Sequence, residues 1–187
     1  GFGGNNVVQT PHLDSLAEKS MRFDRAHVAN PICMPNRASI FTGRMPSLHG
    51  TRYNGIALNW RAETFPRKLM EAGYHTAHLG KCHLQNMNTC GGHYYQWLLE
   101  QGVDPATIQG DRGTLPYESP SHMVRKTATP ETLYPTHYIT EVATRFLRKR
   151  AADPDTPFMG VVSYPDPHHP FTPPGKYFDM YSPADFE

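Results

Sequence analysis

The sequence is poor in cysteine, in charge of one sign and in long apolar runs. Its three cysteines, Cys33, Cys82 and Cys90, are odd in number and irregularly spaced, which excludes a dense disulfide framework. Eleven histidines raise the question of metal, but no C-x2-C or H-x3-H pair stands at zinc-finger spacing. The doublet His168-His169 points its side chains in different directions, so a zinc module is set aside. Eighteen Lys and Arg against 17 Asp and Glu leave a net charge of +1, with no basic footprint for nucleic acid and no like-charge block for a membrane surface. No apolar run approaches the roughly 18–20 residues that span a bilayer, and the opening residues do not read as a basic and apolar leader. Met is absent from the start: the chain opens on the loop-like run Gly1-Phe2-Gly3-Gly4-Asn5-Asn6, as a piece of something longer would. With 187 residues, 38% of them hydrophobic, there is enough to bury the core of one soluble domain. The 18 prolines and 15 glycines make it loop-rich without reaching the roughly 25–30% of disordered chains.

What is present reads as alternating helix and strand. Thr10 as N-cap, Pro11 at the first position and Leu13, Leu16, Ala17 and Met21 at spacings of three and four predict a helix over 11–21. Residues 22–29 read as a short extended segment before the turn at Asn30-Pro31. A second helix is expected from just after Cys33 to Thr42, stopped by Gly43, with Cys33 at its N-terminal mouth. Residues 45–60 read as a surface loop. A helix over 64–72, capped by Thr64 and stopped by Gly73, leads into a strand over 74–79 that ends in Gly80-Lys81-Cys82-His83. Residues 84–130 read as a loop-rich insertion over the active-site face, with one apolar cluster at 94–99. Ile139, Val142, Ala143, Phe146 and Leu147 mark the strongest helix, with Arg145, Arg148, Lys149 and Arg150 at the end where the dipole favours cations. A strand over 158–164 follows, then Pro165-Asp166-Pro167-His168-His169-Pro170. Twice a helix leads to a strand whose end carries histidine. In open α/β sheets, ligands bind beyond the carboxyl ends of the strands.

Three blocks carry the chemistry: Cys33-Met34-Pro35-Asn36-Arg37 with Thr42-Gly43 behind it, Gly80-Lys81-Cys82-His83, and Pro167-His168-His169-Pro170. They match, in order, the C-x-P-x-R, G-K-x-H and P-H-x-P patterns, and Thr10-Pro11-His12-Leu13-Asp14-Ser15-Leu16-Ala17 adds a fourth match upstream. The chain thus resembles the type I, formylglycine-dependent sulfatases of the alkaline phosphatase superfamily over residues 10–171. The resemblance implies an α/β fold with an alkaline-phosphatase-like, mainly parallel sheet and helices on both faces. It also implies that residues 1–187 are a partial catalytic domain, lacking the first strand and the C-terminal part.

By resemblance, Cys33 is oxidised to formylglycine by a formylglycine-generating enzyme, and the aldehyde hydrate attacks the sulfur of a sulfate ester, a small molecule or saccharide. A thiolate could attack too but would keep the sulfo group, whereas a gem-diol has a second hydroxyl whose deprotonation expels sulfate. A helix N-terminus also favours the anionic substrate. Arg37, one turn on and on the same helix face, is implied to steady the formylglycine and the metal-bound oxygens. Lys81 and His83, two apart in extended backbone, would project to one side, with Cys82 opposite. The resemblance has Lys81 contact the sulfate, His83 accept a proton as the hemiacetal collapses, and His168 hydrogen-bond the ester oxygen and protonate the leaving alcohol. His169, at the variable position, is left out of this set.

A divalent cation, Ca2+ or else Mn2+ or Mg2+, is implied as well, with residue 33 as formylglycine among its ligands and the rest outside this chain. The 187 residues alone are therefore expected neither to hold metal well nor to turn over substrate. Cys82, Cys90, His27, His49, His75 and His78 match no ligand pattern and read as structural or surface residues; His49 lies in a block near the site. Asn36, Cys82 and Met34 depart from the usual Ser or Ala, Trp and small residue. Two alternatives stand beside the sulfatase reading: a phosphonate monoester or phosphodiester hydrolase of the same superfamily, and a non-catalytic anion-binding relic with unmodified Cys33.

Overall fold

The computed structural model describes residues 1–84, 91–105, 107 and 126–186. Along the chain run α1 (Pro11–Ala17), α2 (Cys33–Thr42), α3 (Pro46–His49), α4 (Phe65–Glu71), β1 (His75–Gly80), α5 (Gly91–Glu100), α6 (Pro135–Ala151) and β2 (Phe158–Ser163), with single 3-10 turns at Glu131–Leu133, Gly175–Tyr177 and Pro183–Phe186. The two strands pair in parallel, His75 opposite Phe158 through Gly80 opposite Ser163. Parallel pairing requires a crossover, and α6 supplies the element before β2.

Side chains that alternate along a strand need cover on two sides. Phe146 of α6 meets His75 at 5.9 Å and Phe158 at 5.6 Å between ring centroids, and these residues share one face of the sheet. On the other face, Phe41 of α2 stacks on His78 at 5.6 Å and on Phe65 of α4 at 5.5 Å, and Val161 packs against the cluster of Ala38, Phe41, Leu58, Cys82 and Leu84. Helices therefore lie on both faces, as expected. Burying Leu58 or Leu84 in that cluster is worth roughly 1.5–3 kcal/mol each.

Several local expectations are corrected. The first helix stops at Ala17, and α1 buries none of its residues, so nothing here rewards extending it to Met21. Residues 22–29 form no strand; they have no pairing partner among the described residues. The 45–60 loop contains α3, started by Pro46 and ended by Gly50. Neither Thr10 nor Thr64 caps its helix through its side chain; the Thr10 hydroxyl bonds Asp14 instead, at 2.8 Å. Within the 84–130 stretch, the described residues include α5, whose Tyr94, Trp97 and Leu98 pack with Val103, Leu133 and Tyr138; residues 85–90, with Cys90, 106 and 108–125 lie outside the described residues.

Candidate active site

Cys33 is the first residue of α2, and Gly43, in the left-handed region at φ 66°, closes that helix. Met34, Pro35, Ala38 and Phe41 are buried and anchor the helix from below, which leaves Cys33 and Arg37 half-buried on its open side. The Cys33 thiol donates to Asn54 Oδ1 at 3.4 Å, and the same oxygen accepts the Met34 N–H at 3.3 Å. Asn54 thus satisfies one of the amides that every helix start leaves without an intrahelical acceptor. Sequence reading passed over Asn54, and its position within a polar, glycine-bearing loop carried no signal.

Arg37 reaches across to the strand ends. Its Nη1 donates to the Lys81 carbonyl and to Ser163 Oγ, both at 2.9 Å, and so ties α2 to the ends of β1 and β2. The Lys81 N–H donates to the Ser163 carbonyl at 2.8 Å. The chain can turn there only because residue 80 is glycine. Gly80 has φ +98°, and a Cβ on it would lie 2.0 Å from the Ser163 carbonyl oxygen. Strand pairing ends at Gly80, so Lys81 and His83 do not project from extended backbone as the sequence suggested. His83 sits in the left-handed region at φ 58°, a strained conformation for a residue with a side chain, while Cys82 turns into the core.

The charges of this corner act on one another. Burial lowers the Lys81 ammonium pKa; the negative form of Cys33 raises it and Arg37 lowers it. The His83 imidazole is lowered first by burial and then by Lys81, Arg37 and His168, so it favours the neutral, proton-accepting form. Cys33 and Arg37 thus act on the Lys81 ammonium, and Lys81, Arg37 and His168 on the His83 ring. His168 is exposed, and its Nδ1 donates to the His169 carbonyl at 2.6 Å, which leaves Nε2 as the ring nitrogen available to a ligand. The two rings stand 4.3 Å apart.

Two histidines read as structural have defined partners. The Thr51 N–H donates to His49 Nδ1 at 3.1 Å, so the neutral ring carries its proton on Nε2, 3.0 Å from Ser39 Oγ; burial lowers its pKa. His49 thus bolts the end of α3 to α2. His78 Nε2 lies 3.1 Å from the Lys81 carbonyl and belongs to the same corner as Arg37. Among the described residues no three His, Cys, Asp or Glu side chains come together to hold a metal ion, so these residues alone do not build a metal centre.

The sequence model of the family described as Sulfatase matches residues 1–185. The chain is 32% identical to an arylsulfatase of Clostridium perfringens over 99% of its own length and 44% of that protein's. It spans less than half the length of the first curated relatives it matches. Among solved structures, the phosphonate monoester hydrolase of Agrobacterium radiobacter superposes with a TM-score of 0.76 at 23% identity, over 97% of this chain and 40% of that one, a likeness of fold. A protein solved with its substrate D-glucosamine-2-N,6-O-disulfate superposes with a TM-score of 0.61 at 28% identity, over 88% of this chain and 31% of that one. With a family match over nearly every residue and an alkaline-phosphatase-like α/β fold, the chain belongs to the sulfatase family.

Proposed function

We propose that the complete protein hydrolyses a sulfate monoester, with formylglycine made from Cys33 as its nucleophile and the roles divided among Arg37, Lys81, His83 and His168. The observation that supports this reading is that Arg37, one turn after a thiol at a helix start, bonds the Lys81 carbonyl at the strand end, where Cys33 and Arg37 act on the Lys81 ammonium and Lys81, Arg37 and His168 on the His83 ring. Formylglycine supplies an aldehyde hydrate: one hydroxyl attacks sulfur and the other, once deprotonated, releases sulfate. Lys81 and Arg37 bind and neutralise the sulfate oxygens. His83, biased neutral by burial and by its cationic neighbours, takes the proton as the aldehyde reforms. His168 protonates the departing alcohol from Nε2; since Nδ1 already holds a proton against the His169 carbonyl, this role needs the imidazolium. A divalent metal belongs to the same reading: residue 33, as formylglycine, would be one of its ligands, the others would come from beyond this chain, and when bound it would neutralise charge on the sulfate.

Residues 1–187 would then be part of one catalytic domain, with 84–130 inserted over its active face. The substrate is proposed to be a sulfated saccharide, because a homologue binds a disulfated glucosamine. Mass spectrometry of the peptide around residue 33, from a host with the converting enzyme, is expected to find the aldehyde; free thiol alone overturns the catalytic reading and favours the anion-binding relic. Parallel assays of the complete protein on aryl sulfate and a phosphonate monoester separate the hydrolase readings. Faster turnover of the sulfate supports this one, and faster turnover of the phosphonate replaces it with the other.

A further inference from the structure

We propose that His78 is a positioning residue for the anion-binding pair Lys81 and Arg37, acting through the Lys81 carbonyl that His78 Nε2 and Arg37 Nη1 share. The inference rests on the reading of those two cations as the sulfate-binding residues. A carbonyl oxygen only accepts, so His78 must donate from Nε2, 3.1 Å away, while Arg37 donates from Nη1 at 2.9 Å. Both lone-pair directions of that oxygen are thus occupied. The Lys81 N–H is held by the Ser163 carbonyl at 2.8 Å, and the residue before it is a glycine with no room for a side chain. Every polar backbone atom of Lys81 is therefore held, and its side chain leaves the corner from a fixed origin.

His78 is well suited to this role. Phe41 stacks on its ring, 5.6 Å between centroids and 26° between planes, which sets the ring orientation. Its Nδ1 is buried without a hydrogen-bond partner, so a neutral ring with the proton on Nε2 leaves no N–H stranded, whereas a protonated ring would strand one. Burial and Arg37 both favour that neutral form, outweighing the bond to the Lys81 carbonyl. Arg37 divides its Nη1 between the Lys81 carbonyl and Ser163 Oγ, so without His78 that carbonyl would keep only a shared donor.

The test compares wild type, His78→Gln and His78→Leu in the complete protein, with inorganic sulfate binding by calorimetry and aryl sulfate kinetics as readouts. Gln keeps an N–H at the reach of Nε2; Leu removes it. His78→Leu is expected to weaken sulfate about fivefold, the equivalent of one net hydrogen bond, and His78→Gln to restore most of that loss. Turnover at saturation should fall about tenfold in the Leu variant, because displaced cations fit the transition state worse than the ground state. Should His78→Leu not fold, His78→Asn, too short to reach the carbonyl, replaces it with the same expected losses. A Leu or Asn variant that binds sulfate like wild type, or a Gln variant as weak as either, overturns the proposal. Wild type that binds sulfate but leaves the ester intact overturns the hydrolase reading while the variant ratios still decide this one. Wild type that binds no sulfate overturns both.

Discussion

Around α5 the packing is aromatic and well partnered. Tyr94 lies 6.1 Å from Trp97 and 5.5 Å from Tyr138, Trp97 lies 5.1 Å from Tyr138, and the Tyr94 hydroxyl donates to the Leu133 carbonyl at 2.6 Å. Around α2 and the end of β1 the buried side chains are smaller and polar atoms go unmatched: Thr51 Oγ1, His78 Nδ1 and His83 Nδ1 are buried without hydrogen-bond partners. That corner also holds a non-glycine residue at positive φ and a glycine pressed against a carbonyl. The aromatic region is built as a fold requires, and the α2 corner is built against local preference. Strain and unmatched groups of this kind persist only where the surroundings over-determine them, and they gather at sites of function.

Substitutions should separate the two regions. Cys33→Ala, in the corner, should cost turnover on the order of 10⁴-fold or more while the melting midpoint barely moves, since the half-exposed thiol packs against little; aryl sulfate kinetics and a thermal melt check both halves. Gly80→Ala should lower stability by about 4 kcal/mol or more, because backbone would have to move, and denaturant unfolding measures it. Trp97→Ala, in the aromatic region, should cost about 3 kcal/mol of stability and leave kcat of the folded fraction unchanged. A kcat loss there that matches the corner's would erase the distinction. Arg37→Lys should lower kcat/KM about tenfold or more by withdrawing the Nη1 that bonds both Lys81 and Ser163, which the shorter lysine does not reach in the same geometry.

The smallest effect is one of pH. His49, His78 and His83 all have lowered pKa values in the folded chain, chiefly from burial. The unfolded chain therefore takes up protons first as pH falls through the ordinary histidine value of about 6.5. Their contribution to stability is fully present above that pH and is lost below it, toward the folded values. Thermal melts from pH 7.5 down to 5.5 should show a falling midpoint, with a shallower slope in His78→Gln; an unchanged slope would mean that His78 carries no share.

Legibility followed the range of the interactions. The bounds of α2, α4, β1 and β2 were readable to within two residues, because Gly43, Gly73, the prolines and the apolar spacing act locally, and the same spacing marked the body of α6 without its start. The 22–29 segment and the end of α1 were misread, since alternation and helical spacing say nothing unless a neighbour buries the face they create. Cys33, Arg37, Lys81, His83 and His168 were legible as types in ordered motifs. Asn54 and Ser163 were not, since their bonds to the site cross the chain; His78, three residues from Lys81, was not, since strand alternation gives no hint of a bond back across the turn at Gly80.

By itself the sequence determined the identity of the candidate reactive groups and the local turns that carry them. The helix start at Cys33, the stop at Gly43 and the histidines at strand ends all follow from backbone preferences within a few residues. The tertiary structure alone decided which of these groups share an environment. The Arg37 guanidinium meets a carbonyl 44 residues away and a hydroxyl 126 residues away. Such bonds depend on parallel strand pairing and helix packing, in which distance along the chain carries no information about distance in space.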